Sequence, residues 1–314
     1  MISVLIPIYN HNVHPLVSEL QAQLIESQID YEIILADDAS SDESMRNHNA
    51  QLNKLENIRL IQLEENVGRS KIRNMLADSA KYPTLLLMDC DARVRRRDYI
   101  ANYLRFMSAK QLENINFVVL GGLSYRTDEE KSDTLRYKYG IKREIRPASE
   151  RERQPYRAFT PFNMLISKSV FQTCRFDESL RHYGYEDTFF GIELERAGIP
   201  VFHLDNELYH DGIDTNTDFL NKVAAGVSNL VNLYENNKVD EAFKEKSTLI
   251  TTYEKLNKSL SGKFILSILS KGQTWIRNLA SNCNSLFFLD LYKLSELHSL
   301  LHKKKSSSTE NMEQ

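Results

Sequence analysis

Two aspartates one residue apart close an apolar run in LLLMDCDARV, Leu85 to Val94. Successive strand side chains point to opposite faces, so Asp89 and Asp91 share a face if the run is a strand. Like charges this close repel unless a cation or a donor-rich partner joins them. Hard cations such as Mg2+ or Mn2+ prefer carboxylate oxygens, and Mg2+ typically takes one or two carboxylates together with phosphate oxygens. The pair therefore suits a metal-bound diphosphate. A helix cap or a surface charge pair is the competing meaning of any isolated D-x-D.

Three more stretches carry chemistry. In ILADDASSDES, Asp37 and Asp38 end an apolar run as pure acceptors, fit for a base N–H or a ribose hydroxyl, while Ser41 and Asp42 suit a helix cap. In NVGRSKIRN, Gly68 at a helix entry lets backbone approach a phosphate, with Arg69, Lys71 or Arg73 as cations; an ordinary basic helix face is the plainer reading. In GYEDTFFGIEL, Glu186 and Asp187 open a helix whose dipole favours anions, between Gly184 and Gly191 and beside Tyr183, Tyr185, Phe189 and Phe190. Burial among aromatic rings would tune one carboxylate toward general-base work. His203 lies inside an apolar run and reads as structural. His210, in LYHDG beyond the run, is placed to complete a metal shell.

These residues need a frame. Short apolar runs (ISVLIPIY, YEIILA, IRLIQL, TLLLMD) alternate with amphipathic stretches over Val13–Ser27, Ser44–Leu55 and GRSKIRNMLADSA. That rhythm predicts an α/β fold with a Rossmann-like, mostly parallel sheet and helices on both faces. In such sheets ligands bind outside the carboxyl ends of the strands, where the unusual residues cluster. The polar, Lys/Arg-rich stretch 125–157 is long for a connection and is expected to be a mobile lid. A catalytic domain over 1–215, a helical region over 216–302 and a disordered tail over 303–314 complete the expected organisation. There is no internal repeat.

Bulk properties exclude other classes. A net charge of -3 disfavours a general nucleic-acid binder. Cys90, Cys174 and Cys283 form no CxxC pair, which suggests a reducing, cytoplasmic setting and no structural zinc. The opening MISVLIPIYN lacks the basic and small-residue features of a signal peptide, and no run of 18 apolar residues appears. GxGxxG and GxxxxGK[ST] are both absent, against a dinucleotide fold or a P-loop. From Lys263 onward, apolar clusters mix with Lys271, Arg277 and a terminal basic run. Such helices suit peripheral contact with a bilayer, or packing on the catalytic domain or another subunit.

In order, SVLIPIYN, ILADDASSD, NVGRSKIRN, LLLMDCDARV and GYEDTFFG resemble glycosyltransferase family 2, the inverting enzymes of GT-A fold, over roughly Ile2 to Asn216. The resemblance implies a nucleotide-sugar donor, UDP-linked by family frequency, a divalent Mn2+ or Mg2+, and a glycan, lipid-linked or protein acceptor. It implies that Pro7 and Tyr9 line the nucleotide pocket, with Asp38, alone or with Asp37, on the uracil or ribose. Asn66, Gly68, Arg69 and Asn74 would support the nucleoside, and Cys90 belongs to the same surface. Asp89 would contact ribose or the metal shell, Asp91 would ligate the cation directly, and His210 would join it. Asp187 would be the catalytic base, with Glu186 beside it.

The usual Gly–Ser after the Asp pair is Ala39–Ser40 here, and the Q-x-x-R-W element of processive synthases is missing, which favours transfer of one sugar per encounter. Haloacid-dehalogenase phosphatases want Thr or Val where Arg93 stands. A nucleotidyltransferase would begin with a Gly-rich, basic loop, unlike IPIYNHNVHP. A catalytically inactive scaffold is the non-enzymatic alternative, disfavoured by intact Asp89, Asp91 and Asp187.

Overall fold

The computed structural model describes residues 1–112, 115–127, 130–180 and 184–310. Its strands are β1 (Ile2–Ile8), β2 (Tyr31–Asp37), β3 (Ile58–Gln62), β4 (Thr84–Met88), β5 (Ala92–Val94), β6 (Val118–Leu120), β7 (Leu123–Ser124), β8 (Asn163–Ser167), β9 (Val201–His203) and β10 (Leu208–His210). The helices are α1 (His14–Glu26), α2 (Glu43–Ala50), α3 (Arg69–Ser79), α4 (Tyr99–Lys110), α5 (Leu135–Tyr139), α6 (Ala148–Arg151), α7 (Glu186–Arg196), α8 (Asn216–Glu235), α9 (Glu241–Lys246), α10 (Thr248–Asn257), α11 (Leu260–Lys271), α12 (Gln273–Asn282) and α13 (Leu286–Glu310). The chain divides into two compact units.

Unit one comprises Met1–Thr127, Arg143–Arg181 and Glu186–Gly212. Its main sheet runs β3-β2-β1-β4-β8-β6-β9, with β8 antiparallel to both neighbours and the other pairs parallel. The alternation of β1 sorts its side chains between two cores. Ile2, Val4, Ile6 and Ile8 meet Leu16 and Leu20 of α1 and Tyr99 and Tyr103 of α4, whereas Leu5 meets Ile72 and Leu76 of α3 and Phe190 of α7. Both faces of the strand are thus dry, which is why its sequence is nearly continuous in apolar residues. Phe190, expected beside the acidic pair, instead stacks on Phe176 with ring centroids 4.2 Å apart. Its helical position turns it to the core. The helix expected over Ser44–Leu55 ends as α2 at Ala50 and tightens into a 3-10 turn over Gln51–Lys54.

A second, three-stranded sheet runs β5-β10-β7 and is set by a buried amide. Asn163 Oδ1 accepts from the hydroxyls of Tyr99 (2.6 Å) and Tyr103 (2.7 Å), and its Nδ2 donates to the carbonyls of Gly122 and Asn206, both at 2.9 Å. Every hydrogen-bonding valence of this amide is met, so its burial carries no desolvation penalty left unanswered. The backbone entering β7 and β10 is pinned as a result.

The stretch 125–157, expected as a mobile lid, carries α5, a π-helical turn over Gly140–Glu144, and α6. Its far end is anchored. Arg151 is buried and donates to the carbonyls of Leu120 (3.0 Å) and Leu204 (2.8 Å) and to Nδ1 of His203 (2.8 Å). With Nδ1 accepting, His203 donates from Nε2 to Pro155 O at 3.1 Å. Burial and the Arg151 charge lower its pKa to about 4. His203 is a neutral structural residue, as its place in an apolar strand suggested.

Unit two comprises Asp128–Lys142, His182–Tyr185 and Ile213–Gln314, so two short segments from within the first 215 residues join the C-terminal helices. Leu135, Phe219, Leu220, Ile276, Leu289 and Tyr292 form its core. Asn216 ties α5 to α12, accepting from Leu135 N at 2.8 Å and donating to Ser281 O at 2.8 Å. The tail expected to be disordered from 303 continues α13 as far as Glu310; residues 311–314 lie outside the described residues, as does Tyr183. Among the described residues no helix is long and apolar enough to cross a membrane.

Candidate active site

From β1 the chain first lays down β2 and β3 on one side, then returns to place β4 on the other. That reversal opens a crevice at the carboxyl ends of β1 and β4, the position where open α/β sheets bind ligands. Tyr9 follows β1, and Asp89, Cys90 and Asp91 follow β4. Tyr9 is half-exposed, and Pro7 sits two residues earlier in register with Ala36 of β2. Burial, then the charges of Asp91 and Asp89, push the Cys90 thiol up to about 12.

Asp89 and Asp91 have different partners. Asp89 Oδ1 accepts from Arg73 Nη2 at 2.9 Å. Burial acts to raise the Asp89 pKa, but Arg73 and Arg69 outweigh it and hold the group below its usual range. Asp89, expected in the metal shell, therefore has a guanidinium as its counter-charge. Asp91 is placed by the small sheet. β5 and β10 pair antiparallel with His210 opposite Ala92, and Asp211 N donates to Asp91 O at 2.9 Å. His210 Nε2 lies 3.6 Å from Asp91 Oδ2, and the ring is flanked by Tyr125 and Phe162 at 5.5 and 5.3 Å.

A divalent cation at this pair would be held by Asp91 and His210, whose nearest ring nitrogen to the carboxylate is Nε2. Asp91 Oδ1 and His210 Nδ1 are buried and find no hydrogen-bond partner among the described residues. A Cβ at Gly212 would collide with the Asp91 carboxylate, so the room beside it depends on glycine. Yet no group of three or more His, Cys, Asp or Glu among the described residues could hold a metal. Two protein ligands match the mode in which phosphate oxygens supply much of the shell.

The opposite wall is the start of α7. The backbone turns through positive φ at Gly184 (98°) and Tyr185 (76°) immediately before Glu186. Arg73 reaches both acids, with Nη1 3.6 Å from Asp187 Oδ1 and 3.9 Å from Glu186 Oε1. Arg69 Nη1 lies 3.7 Å from Glu186 Oε1. Burial and the neighbouring Glu186 charge raise Asp187 to about 7, against the pull of Arg73. A carboxylate with that pKa is matched to accepting a proton near neutral pH. Arg73 is the residue sequence reasoning misplaced. It was one of three candidate phosphate cations, but it is buried on the core side of α3 beside Ile72 and Leu76, where three carboxylates surround it. An arginine in the buried stripe of a helix is the signal that would have found it.

The second and third strand ends join through Asp38, whose two oxygens accept from the backbone N–H groups of Val67 (2.7 Å) and Gly68 (3.1 Å). Gly68 has φ 83°, and Asn66 Nδ2 donates to Asp38 O at 3.0 Å. Asp38, Asn66 and Gly68 thus brace one another. Asp37 Oδ1 accepts from Ser40 N at 2.8 Å, while its buried Oδ2 has no hydrogen-bond partner among the described residues. Each Asp38 oxygen thus accepts one hydrogen bond, whereas Asp37 has Arg46 Nε 3.7 Å from Oδ1 and an Oδ2 unbonded among the described residues. Asn74, expected to support a nucleoside, is buried and bonds Phe176 N, Phe176 O and Glu178 instead. It latches α3 to the chain leading toward α7. A cleft of 280 Å³ beside Gly68 is lined by Glu65, Asn66, Val67, Lys71 and Glu178, and includes none of Asp37, Asp38, Asp89, Asp91, Glu186 and Asp187.

Residues 3–175 match the family model described as glycosyl transferase family 2. A chondroitin synthase of Escherichia coli is 26% identical over 223 residues, which cover 60% of this chain and 32% of that protein. The chain thus spans about a third of that relative's length. Among solved structures, the mannosyltransferase PcManGT from Pyrobaculum calidifontis, in complex with GDP-Man and Mn2+, aligns with a TM-score of 0.55 at 14% identity, covering 96% of this chain and 87% of that one. S. aureus TarS 1-349 aligns with a TM-score of 0.51 at 16% identity, covering 98% and 91%. These structures share the fold. With the family match over more than half its length, the chain belongs to glycosyl transferase family 2, built on the GT-A fold.

Proposed function

We propose that the protein transfers a single sugar from a nucleoside-diphosphate sugar, UDP-linked, to a hydroxyl of a glycan, lipid-linked or protein acceptor in the cytoplasm, with inversion at the sugar's anomeric carbon. The observation that carries this reading is the convergence on one crevice of two unlike devices. Asp91 and His210 present unpartnered buried ligand atoms, and Asp187 is held near the pKa of a working base.

In this reading Asp91 and His210 hold Mn2+ or Mg2+. When bound, that cation offsets the negative charge gathering on the departing diphosphate. PcManGT, of the same fold, forms a complex with GDP-Man and Mn2+, which supports a metal-assisted nucleotide sugar here. Asp37 Oδ2 accepts from the base or ribose, and Asp38 keeps the Val67–Gly68 backbone in place beneath it. Arg73 locks Asp89 and steadies the acidic pair of α7. Asp187 accepts the proton of the acceptor hydroxyl as that oxygen attacks the face opposite the leaving group, which inverts the anomer.

A donor screen tests the reading. The protein is incubated with UDP- and GDP-sugars and Mn2+ or Mg2+, and released nucleoside diphosphate is measured. One donor should stand out, and EDTA or Asp91→Asn should lower its turnover by at least about 100-fold. Silence with every donor, together with no Mn2+-dependent UDP binding in calorimetry, would favour the inactive scaffold.

A further inference from the structure

The C-terminal unit carries an apolar face that the transfer chemistry does not use. Leu260, Phe264 and Ile268 lie at i, i+4 and i+8 of α11 and are 87%, 67% and 53% exposed. Side chains at that spacing form one stripe along a helix. The inner side of the same helix is closed by Leu266, fully buried, and by Gly262, where a Cβ would strike the Leu256 carbonyl. α11 therefore has a packed inner side and a second, greasy outer one. Trp275, the chain's one tryptophan, follows on α12 and is 66% exposed.

Charge decides what this face is suited to meet. From Lys255 to Leu289 the sequence has Lys255, Lys258, Lys263, Lys271 and Arg277 and no Asp or Glu, in a chain whose net charge is -3. The four lysines are exposed. A protein partner or a second copy of this chain would not require so long a stretch of sequence without a carboxylate. An anionic lipid surface would, since it attracts each cation while the apolar stripe enters the acyl boundary and an indole sits at the headgroup level.

We propose that α11 and the start of α12 form a peripheral docking face for an anionic phospholipid bilayer, with Leu260, Phe264, Ile268 and Trp275 inserted and the flanking lysines on the headgroups. This does not rest on the transferase reading.

Full-length protein is mixed with vesicles of pure phosphatidylcholine and with vesicles containing phosphatidylglycerol, then followed by sedimentation and by Trp275 fluorescence. The expected result is a blue shift and co-sedimentation with the anionic vesicles only, weakening as salt rises. Lys263→Gln with Lys271→Gln should lower partitioning on the order of 25-fold. Phe264→Ser with Ile268→Ser should lower it at least tenfold while circular dichroism and the thermal unfolding midpoint stay unchanged. Absence of any blue shift with anionic vesicles overturns the proposal. So does a concentration-dependent dimer by light scattering that the Phe264/Ile268 variant abolishes, because the stripe would then be a contact between copies.

Discussion

The end of β4 and the start of α7 both present a carboxylate to the same guanidinium, with opposite results. Asp89 receives a 2.9 Å hydrogen bond from Arg73 and is held below its normal pKa. Asp187 lies 3.6 Å from the other arm of Arg73, makes no hydrogen bond to it, and has Glu186 next in sequence. It is raised to about 7. Burial acts the same way on both acids, so the difference comes from the charges of Arg73 and Arg69 and the Arg73 hydrogen bond at Asp89, against the like charge of Glu186 at Asp187. One arginine thus fixes a permanent anion on one wall and leaves the other wall with a group able to take up a proton.

Removing the titrating partner should have the largest effect. Asp187→Asn is expected to lower transfer by about 10²- to 10⁴-fold, with nucleotide affinity by calorimetry nearly unchanged. In the wild type, turnover should fall about tenfold per pH unit below about 7 and level off above it, because only the ionised carboxylate accepts a proton. The stability slope has the opposite sense. Between the unfolded carboxylate pKa of about 4 and about 7, the native state holds the extra proton, so this group's contribution to stability declines as pH rises. Asp187→Asn should flatten that slope in urea titrations made across the window. A pH profile unaltered by the substitution would separate Asp187 from the base.

Removing the shared cation comes next. Arg73→Ala leaves three carboxylates around an empty site and should cost about 3–5 kcal/mol in urea unfolding. Arg73→Lys, which keeps a charge but loses the planar fork, should fold and should show the acidic limb of its activity profile displaced upward. An unmoved limb would mean that Arg73 has no hold on Asp187. The smallest effect is expected at Asn74. Asn74→Ala strands the Phe176 amide and carbonyl and should cost roughly 2–3 kcal/mol, with activity per folded molecule within about twofold. A selective rise in donor KM would restore Asn74 to the nucleotide site.

Much of this architecture was readable from local pattern. Near-continuous apolar runs such as ISVLIPI imply a strand covered on both faces, and β1 is buried at nearly every position. The D-x-D at a strand end marked the crevice. β10 brings His210, which lies beyond the last apolar run, to 3.6 Å from Asp91. Four side chains have commitments that the sequence does not reveal. Asn74, Asp38, Phe190 and Arg73 are of types that bind nucleotides, phosphates or sugars when exposed, but each is committed to a partner distant in sequence. Asn74 bonds Phe176, Asp38 bonds Val67 and Gly68, Phe190 stacks on Phe176, and Arg73 meets Asp89 and Asp187. Spacing along the chain cannot show that a polar valence is already satisfied.

The sequence by itself determined the alternation of strand and helix, the family, and which strand ends carry acids, because periodicity and residue type are local properties. Only the tertiary structure decided which acid is paired and which is left to titrate. That choice depends on which carboxylate reaches hydrogen-bond distance of Arg73 and on the partial burial of both, and neither exists until α3, β4 and α7 have packed together.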